Sequence, residues 1–167
     1  MNWQILVSAC LLVSGCVALN ADEPPDRNIE VAVVSGGLQC GGPTEAPRAE
    51  WISQPEASML PSRSTLPAAP SYTWDPAVEG ALLIHMGTRP TGGYSIELAA
   101  PTAKVNKGIA TIHINWIEPE PGSFVTQALT APCLLLKIPK QGIEKIVIKD
   151  QHQHLRFVVR PGSEEGK

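Results

Sequence analysis

The chain has 167 residues, a net charge of −3 and 17% charged side chains, with 16 prolines and 14 glycines. That length allows one domain with extensions and a core large enough to fold without staples. No basic stripe or Lys/Arg cluster occurs, so nothing points to a nucleic acid partner, and so many prolines and glycines fit strand-to-turn junctions better than long helices.

Residues 1–15 form a compact apolar segment that ends in small residues and is followed at once by Cys16. The runs Ile5-Leu6-Val7 and Leu11-Leu12-Val13 are too short to span a bilayer as a permanent helix. Val13-Ser14-Gly15-Cys16 resembles a bacterial lipobox. Small side chains there let a peptidase reach the backbone, and the Cys16 thiolate accepts the diacylglyceryl group. The first four residues carry no Lys or Arg, and an earlier match ending at Cys10 would leave too short an apolar segment. The alternative is an ordinary signal peptide cut near Ala18 or Ala21. On the lipoprotein reading, residues 1–15 are the signal, 16–28 a polar tether, 29–160 a β-rich domain and 161–167 a frayed tail. Val17 rather than Asp after the cysteine resembles the sorting signal for an outer membrane, with the domain facing the periplasm.

Ile29 to Val34 reads as the first strand, ended by Ser35-Gly36-Gly37, and Ala49 to Ile52 as a second short one. Ser53-Gln54-Pro55-Glu56 has the form of a capping box and predicts a helix of one or two turns to about Leu60, stopped by Pro61. A long irregular loop follows to Asp75. Ala81 to Met86 and Ser95 to Ala99 are strand-like runs joined by Gly87-Thr88-Arg89-Pro90-Thr91-Gly92-Gly93-Tyr94. Pro90 fixes its own φ, and Gly92 and Gly93 permit φ > 0, so this reads as a hairpin turn with an ordered, solvent-facing tip. Ile109 to Ile117 alternates most clearly: Ala110, Ile112, Ile114 and Trp116 take one face, Thr111, His113 and Asn115 the other. Glu118-Pro119-Glu120-Pro121-Gly122 cannot continue a ladder, because two prolines lack donors. Cys133 to Ile138 alternates with Leu134, Leu136 and Ile138 inward. Ile143 to Lys149 and Leu155 to Val159 complete the set, the last with Leu155, Phe157 and Val159 on one face. The expected class is all-β or mainly β: an antiparallel β-sandwich or curved sheet with one short helix.

GTRPTGGYSIEL from Gly87 resembles the signature of the PrcB C-terminal domain family, named after an accessory subunit of a spirochaete surface protease complex. The likeness continues through Trp116 to Gly122 and Leu129 to Pro139. The family has no established catalytic activity, so the resemblance implies a protein that assists or binds another. Thr88, Arg89, Pro90, Thr91, Gly92, Gly93 and Tyr94, with Glu118, Pro119 and Glu120, are then the candidate partner-binding loops. Tyr94 reads as a half-buried structural residue and Arg89 as the exposed contact. Arg89 to Tyr94 also resembles the first loop of chagasin-type cysteine-peptidase inhibitors, although the expected central Gly-rich loop is not clear and Arg160-Pro161-Gly162 lacks the aromatic expected after Pro.

Removing the signal and acylating Cys16 leaves Cys40 and Cys133, which an oxidising compartment would allow to bridge; the alternative is two buried thiols. Asp150, His152 and His154 stand at period two, a spacing that can hold a transition metal on one strand face, though solvated histidines are the commoner outcome. No hydrolase elbow, phosphate loop, zinc helix or dinucleotide fingerprint occurs. The expectation is a non-enzymatic envelope protein without cofactor, held to the membrane through Cys16, whose partner is another envelope protein such as an exported protease.

Overall fold

In a computed structural model, the structure describes residues 26–39, 46–53 and 75–162. Ten strands are seen there: β1 (Arg27–Glu30), β2 (Ala32–Gly37), β3 (Arg48–Ile52), β4 (Glu79–His85), β5 (Ser95–Leu98), β6 (Thr102–Asn106), β7 (Ile109–Ile117), β8 (Cys133–Pro139), β9 (Lys145–Lys149) and β10 (Leu155–Val159). Among the described residues there is no helix. The helix expected after Ser53, like the signal, Cys16, the tether before Asp26, Cys40 and the end of the tail, lies outside the described residues.

The strands form two layers. One sheet runs β1-β6-β7-β9-β10, with β5 also paired to β7; the other runs β2-β8-β4-β3. The alternating faces read from the sequence meet between them. Ala110, Ile112, Ile114 and Trp116 of β7 pack with Leu134, Leu136 and Ile138 of β8, and with Leu82 and Ile84 of β4, in one buried cluster. Burying each of the leucine and isoleucine side chains among them contributes roughly 1.5–3 kcal/mol.

Four expectations change. The sandwich is not wholly antiparallel, because β7 and β9 are parallel from Ile109↔Lys145 to His113↔Lys149. A parallel neighbour requires a crossover, and β8, lying in the other sheet, supplies it. The first strand is two: Val31, 2% exposed, makes a corner, so that β1 pairs β6 in one sheet and β2 pairs β8 in the other. β8 is buried on both faces, since Leu135 packs with Val34 and Ala81 in a second cluster behind the sheet. A run of four apolar residues, Cys133 to Leu136, is the sequence mark of a strand covered on both sides.

The fourth concerns β10. Its register against β9 shifts between Leu155 and Phe157, which makes Arg156 the extra residue of a bulge. Leu155 is therefore left 59% exposed, while Phe157 packs on the core and Val159 is buried. The bulge also re-aims the Arg156 side chain, as such irregularities do.

Candidate functional site

The signature stretch is not a hairpin turn. β4 belongs to one sheet and β5 to the other, so residues 86–94 cross the end of the sandwich between layers. Their backbone is pinned along the way by the segment that leads from β7 to β8. Met86 N donates to Pro132 O at 2.8 Å. Arg89 and Thr130 exchange two backbone bonds, Arg89 N to Thr130 O at 2.7 Å and Thr130 N to Arg89 O at 3.0 Å. The Thr130 hydroxyl donates to Thr91 O at 2.9 Å, and Gly92 N donates to Thr126 O at 2.8 Å.

These bonds bring the two predicted loops together and put one over the other. Gly92 is buried. Gly93 has φ +85°, and a Cβ built there would stand 2.9 Å from Val125 Cγ1 and 3.0 Å from Pro119 Cβ. A glycine is needed on both counts: the left-handed conformation, and the approach of the 118–126 segment. Pro90 and Gly93 reach solvent, whereas Thr88, Arg89, Thr91 and Tyr94 are half-buried. The solvent-facing tip of the sequence reading is therefore a covered crossover.

Arg89 is not the exposed contact. Its guanidinium carbon lies 5.3 Å from the centroid of the Tyr94 ring and 6.0 Å from that of Trp116, and its Nε has no hydrogen-bond partner. Cation–π attraction of roughly 0.5–2 kcal/mol holds the charge against the rings. Tyr94 keeps the structural place expected of it, packed against the main core.

Trp116 is the hub of this end of the molecule. It is 4% exposed, its Nε1 donates to Glu118 Oε1 at 2.9 Å, and Phe157 tilts against it at 6.1 Å between centroids. β9 has ended before this level, and the amide of Gln151 takes over the ladder. Trp116 N donates to Gln151 Oε1 at 2.8 Å, and Gln151 Nε2 donates to Trp116 O at 3.0 Å. On the β10 side Arg156 lies 4.8 Å from the Trp116 ring and donates through Nε to Asp150 Oδ2 at 2.8 Å.

Asp150 is 0% exposed, and its Oδ1 accepts from the backbone N–H of His152 and of His154, each at 2.9 Å. Burial alone would raise its pKa, but the N–H bonds from His154 and His152 and the Arg156 guanidinium outweigh burial and hold the carboxyl below its ordinary range. Asp150 is therefore the anchor of a turn, with its oxygens committed to the backbone and Arg156. Among the described residues no group of three His, Cys, Asp or Glu is placed to hold a metal ion.

The loop above is the more exposed feature. Gly122, at φ +85°, closes a turn in which Ser123 N donates to Glu120 O at 3.0 Å. Glu118 and Glu120 face solvent and Pro119 is half-buried. Beyond the turn Phe124 is 107% exposed and Leu129 67%. Neither was picked out as a contact from sequence. The signal was there in Phe124, a large apolar side chain in a stretch with no alternation to bury it. Gln151 and Arg156 carried no such mark, because Trp116, which both of them meet, lies on a strand far earlier in the chain. The arrangement is a platform of aromatic and guanidinium groups beneath a loop that displays an aromatic ring.

Residues 81–139 match the family model described as PrcB C-terminal. The match runs from β4 to the end of β8, so it contains the crossover, Trp116 and the loop above them, and it agrees with the resemblance of the signature. No curated protein and no solved structure matches the chain.

Proposed function

We propose that the chain is a non-catalytic, lipid-anchored envelope protein that binds or stabilises an exported partner protein, an exported protease being the candidate. The observation that carries this reading is the coincidence of the PrcB C-terminal match with the pinned crossover and its covering loop. Phe124 at full exposure is the side chain placed to act as an aromatic anchor. Glu118 and Glu120 give the rim an acidic character that favours a basic surface opposite.

The anchor and the address rest on the lipobox-like Val13 to Cys16 and on Val17. A Cys40–Cys133 bridge is supported by register. Cys133, 1% exposed, stands opposite Gly37, and the next residues, Leu38 and Gln39, still track Ala131. Cys40 follows directly in the chain.

The test is photo-crosslinking from position 124 in intact envelopes, with position 158 as an exposed control on β10. A discrete partner captured from 124 and not from 158 is the expected result. Equal labelling from both, or none from either, refutes the reading. Intact mass of the membrane-extracted protein reads the Cys16 acylation and the Cys40–Cys133 bond together. The chagasin-like alternative needs residues 88–94 to enter a protease cleft, which their covered position does not favour; inhibition of a papain-like protease by the chain would restore it.

A further inference from the structure

Two guanidiniums stand by Trp116, and they differ in one respect. Arg156 is neutralised by Asp150, through Nε and through Nη2, each at 2.8 Å from Oδ2. Arg89 has no such counterpart: among the described residues no carboxylate pairs with it and its side chain makes no hydrogen bond. Glu118 is close to the same indole, but its Oε1 accepts from Trp116 Nε1 at 2.9 Å and does not close an ion pair with Arg89. Only Nε of Arg89 is enclosed, so its terminal amino groups reach solvent. The Tyr94 and Trp116 rings attract the charge, but they offer its N–H groups no oxygen acceptor. A half-buried cation with its donors unused costs free energy, and such a group calls for an explanation.

The planar fork of a guanidinium matches a carboxylate or a phosphate through two parallel N–H···O bonds. Charge separates the two ligands here. Glu118 and Glu120 are exposed on the loop above, and their field penalises a doubly charged phosphate more than a singly charged carboxylate. One ion pair in contact with water is weak, so a free small acid would not be held by Arg89 alone. Further contacts are at hand on the same loop. Phe124, 107% exposed, is two residues from Thr126, whose carbonyl accepts from Gly92 N. Leu129, 67% exposed, precedes Thr130, which exchanges two backbone bonds with Arg89. Those bonds also fix the Arg89 backbone in advance, which lowers the ordering cost of binding. A polypeptide can bring a carboxylate and apolar side chains to such a place together.

We infer that Arg89 is a recessed socket for a carboxylate presented by the partner polypeptide, from an Asp or Glu side chain or from its C-terminus, with Phe124 and Leu129 taking apolar residues beside it. The inference rests on the partner-binding reading above and deepens it by naming the chemistry of the bound segment. The charge acts from beneath the loop rather than from a displayed tip. The acidic rim of Glu118 and Glu120 favours basic neighbours around the bound acid.

The test is selection of random peptides displayed on phage against the full chain, from one library with a free C-terminus and one with the peptide held internally, followed by fluorescence polarisation of the enriched peptides. Enriched sequences are expected to carry a fixed Asp or Glu, or to need their free C-terminus, and the two libraries separate these sources. Converting that carboxylate to its amide weakens binding to the wild-type chain about tenfold or more. The same conversion changes binding to Arg89→Gln by less than about twofold, as a direct pair requires. Glu118→Gln keeps an oxygen for the indole N–H, removes a like charge, and strengthens the acidic peptides. Because Arg89→Gln can perturb folding, the Arg89 Nε–H resonance of the wild-type chain gives a second readout; it is expected to move with the acidic peptide and not with its amide.

No enrichment, enriched peptides that keep their affinity as amides, or an Arg89 resonance that stays in place overturns the inference. So does Glu118→Gln abolishing the binding of acidic peptides. A partner crosslinked from position 124 equally well in the Arg89→Gln chain leaves the accessory reading standing while the socket fails. Carboxylate-dependent peptide binding without any crosslinked partner does the reverse.

Discussion

Replacing Gly93 by alanine tests the central geometric statement, that the signature crossover lies under the loop after β7. Two costs follow from the structure. At φ +85° an L side chain is strained, by about 1–2 kcal/mol. The new Cβ would also stand 2.9 Å from Val125 Cγ1 and 3.0 Å from Pro119 Cβ, and overpacking of that kind costs about 1–3 kcal/mol. The total is about 2–5 kcal/mol, a large part of a typical domain's stability. Gly122 supplies the control: its φ is also +85°, but a Cβ there meets nothing within 4 Å. Gly122→Ala should cost the backbone term alone, about 1–2 kcal/mol. Urea unfolding of the full chain measures both, with the slope of the transition checked for constancy. Val125→Ala removes the Cγ1 contact and should recover part of the Gly93→Ala loss but none of the Gly122→Ala loss. Equal losses for the two glycine variants, with no recovery from Val125→Ala, would refute the covered crossover.

Gln151→Ala leaves the N–H and C=O of Trp116 without their partners and should cost about 1–3 kcal/mol in the same urea assay, with faster amide exchange at Trp116. Asp150 has a folded pKa below its ordinary 3.8, so its contribution is complete above that value and is lost as pH falls through the folded pKa. Asp150→Asn should lower stability at neutral pH and flatten the acid limb of the stability–pH curve. His85 is 4% exposed and neither ring nitrogen has a partner; burial, then the Arg48 charge, press its pKa below 6.5 against a smaller opposing pull from Glu50. The unfolded chain therefore binds the extra proton, and stability declines as pH drops from 6.5 towards the folded pKa. His85→Leu should remove that decline, as read by thermal unfolding between pH 5 and about 8.

The alternation of β7 was legible because each of its inward residues needs only to know that one face is covered. Ala110, Ile112, Ile114 and Trp116 are all buried as that pattern requires. β8 was half legible: Leu134, Leu136 and Ile138 were placed, but the burial of Leu135 depends on what lies behind the sheet. The glycines and proline of the signature announced an unusual chain path without saying where it led. Arg89 looked like a contact because a cation beside a proline turn is normally solvated. The Tyr94 ring, in the same crossover, and the Trp116 ring of β7 overturn that, and Trp116 is not local to it.

Local chemistry, then, carried the strand-rich class, the position of most strands, the breaks at proline and glycine, and the likeness of the segment from Ala81 to Pro139 to the PrcB C-terminal family model. Those properties arise from backbone freedom and from alternation along a few neighbouring residues. Which sheet each strand joins, the parallel neighbour of β7, the Val31 corner between β1 and β2, and the loop laid over Gly93 all emerge on folding. Each depends on pairing and close packing between residues far apart in the chain, and a strand's own sequence does not encode the identity of the strand beside it.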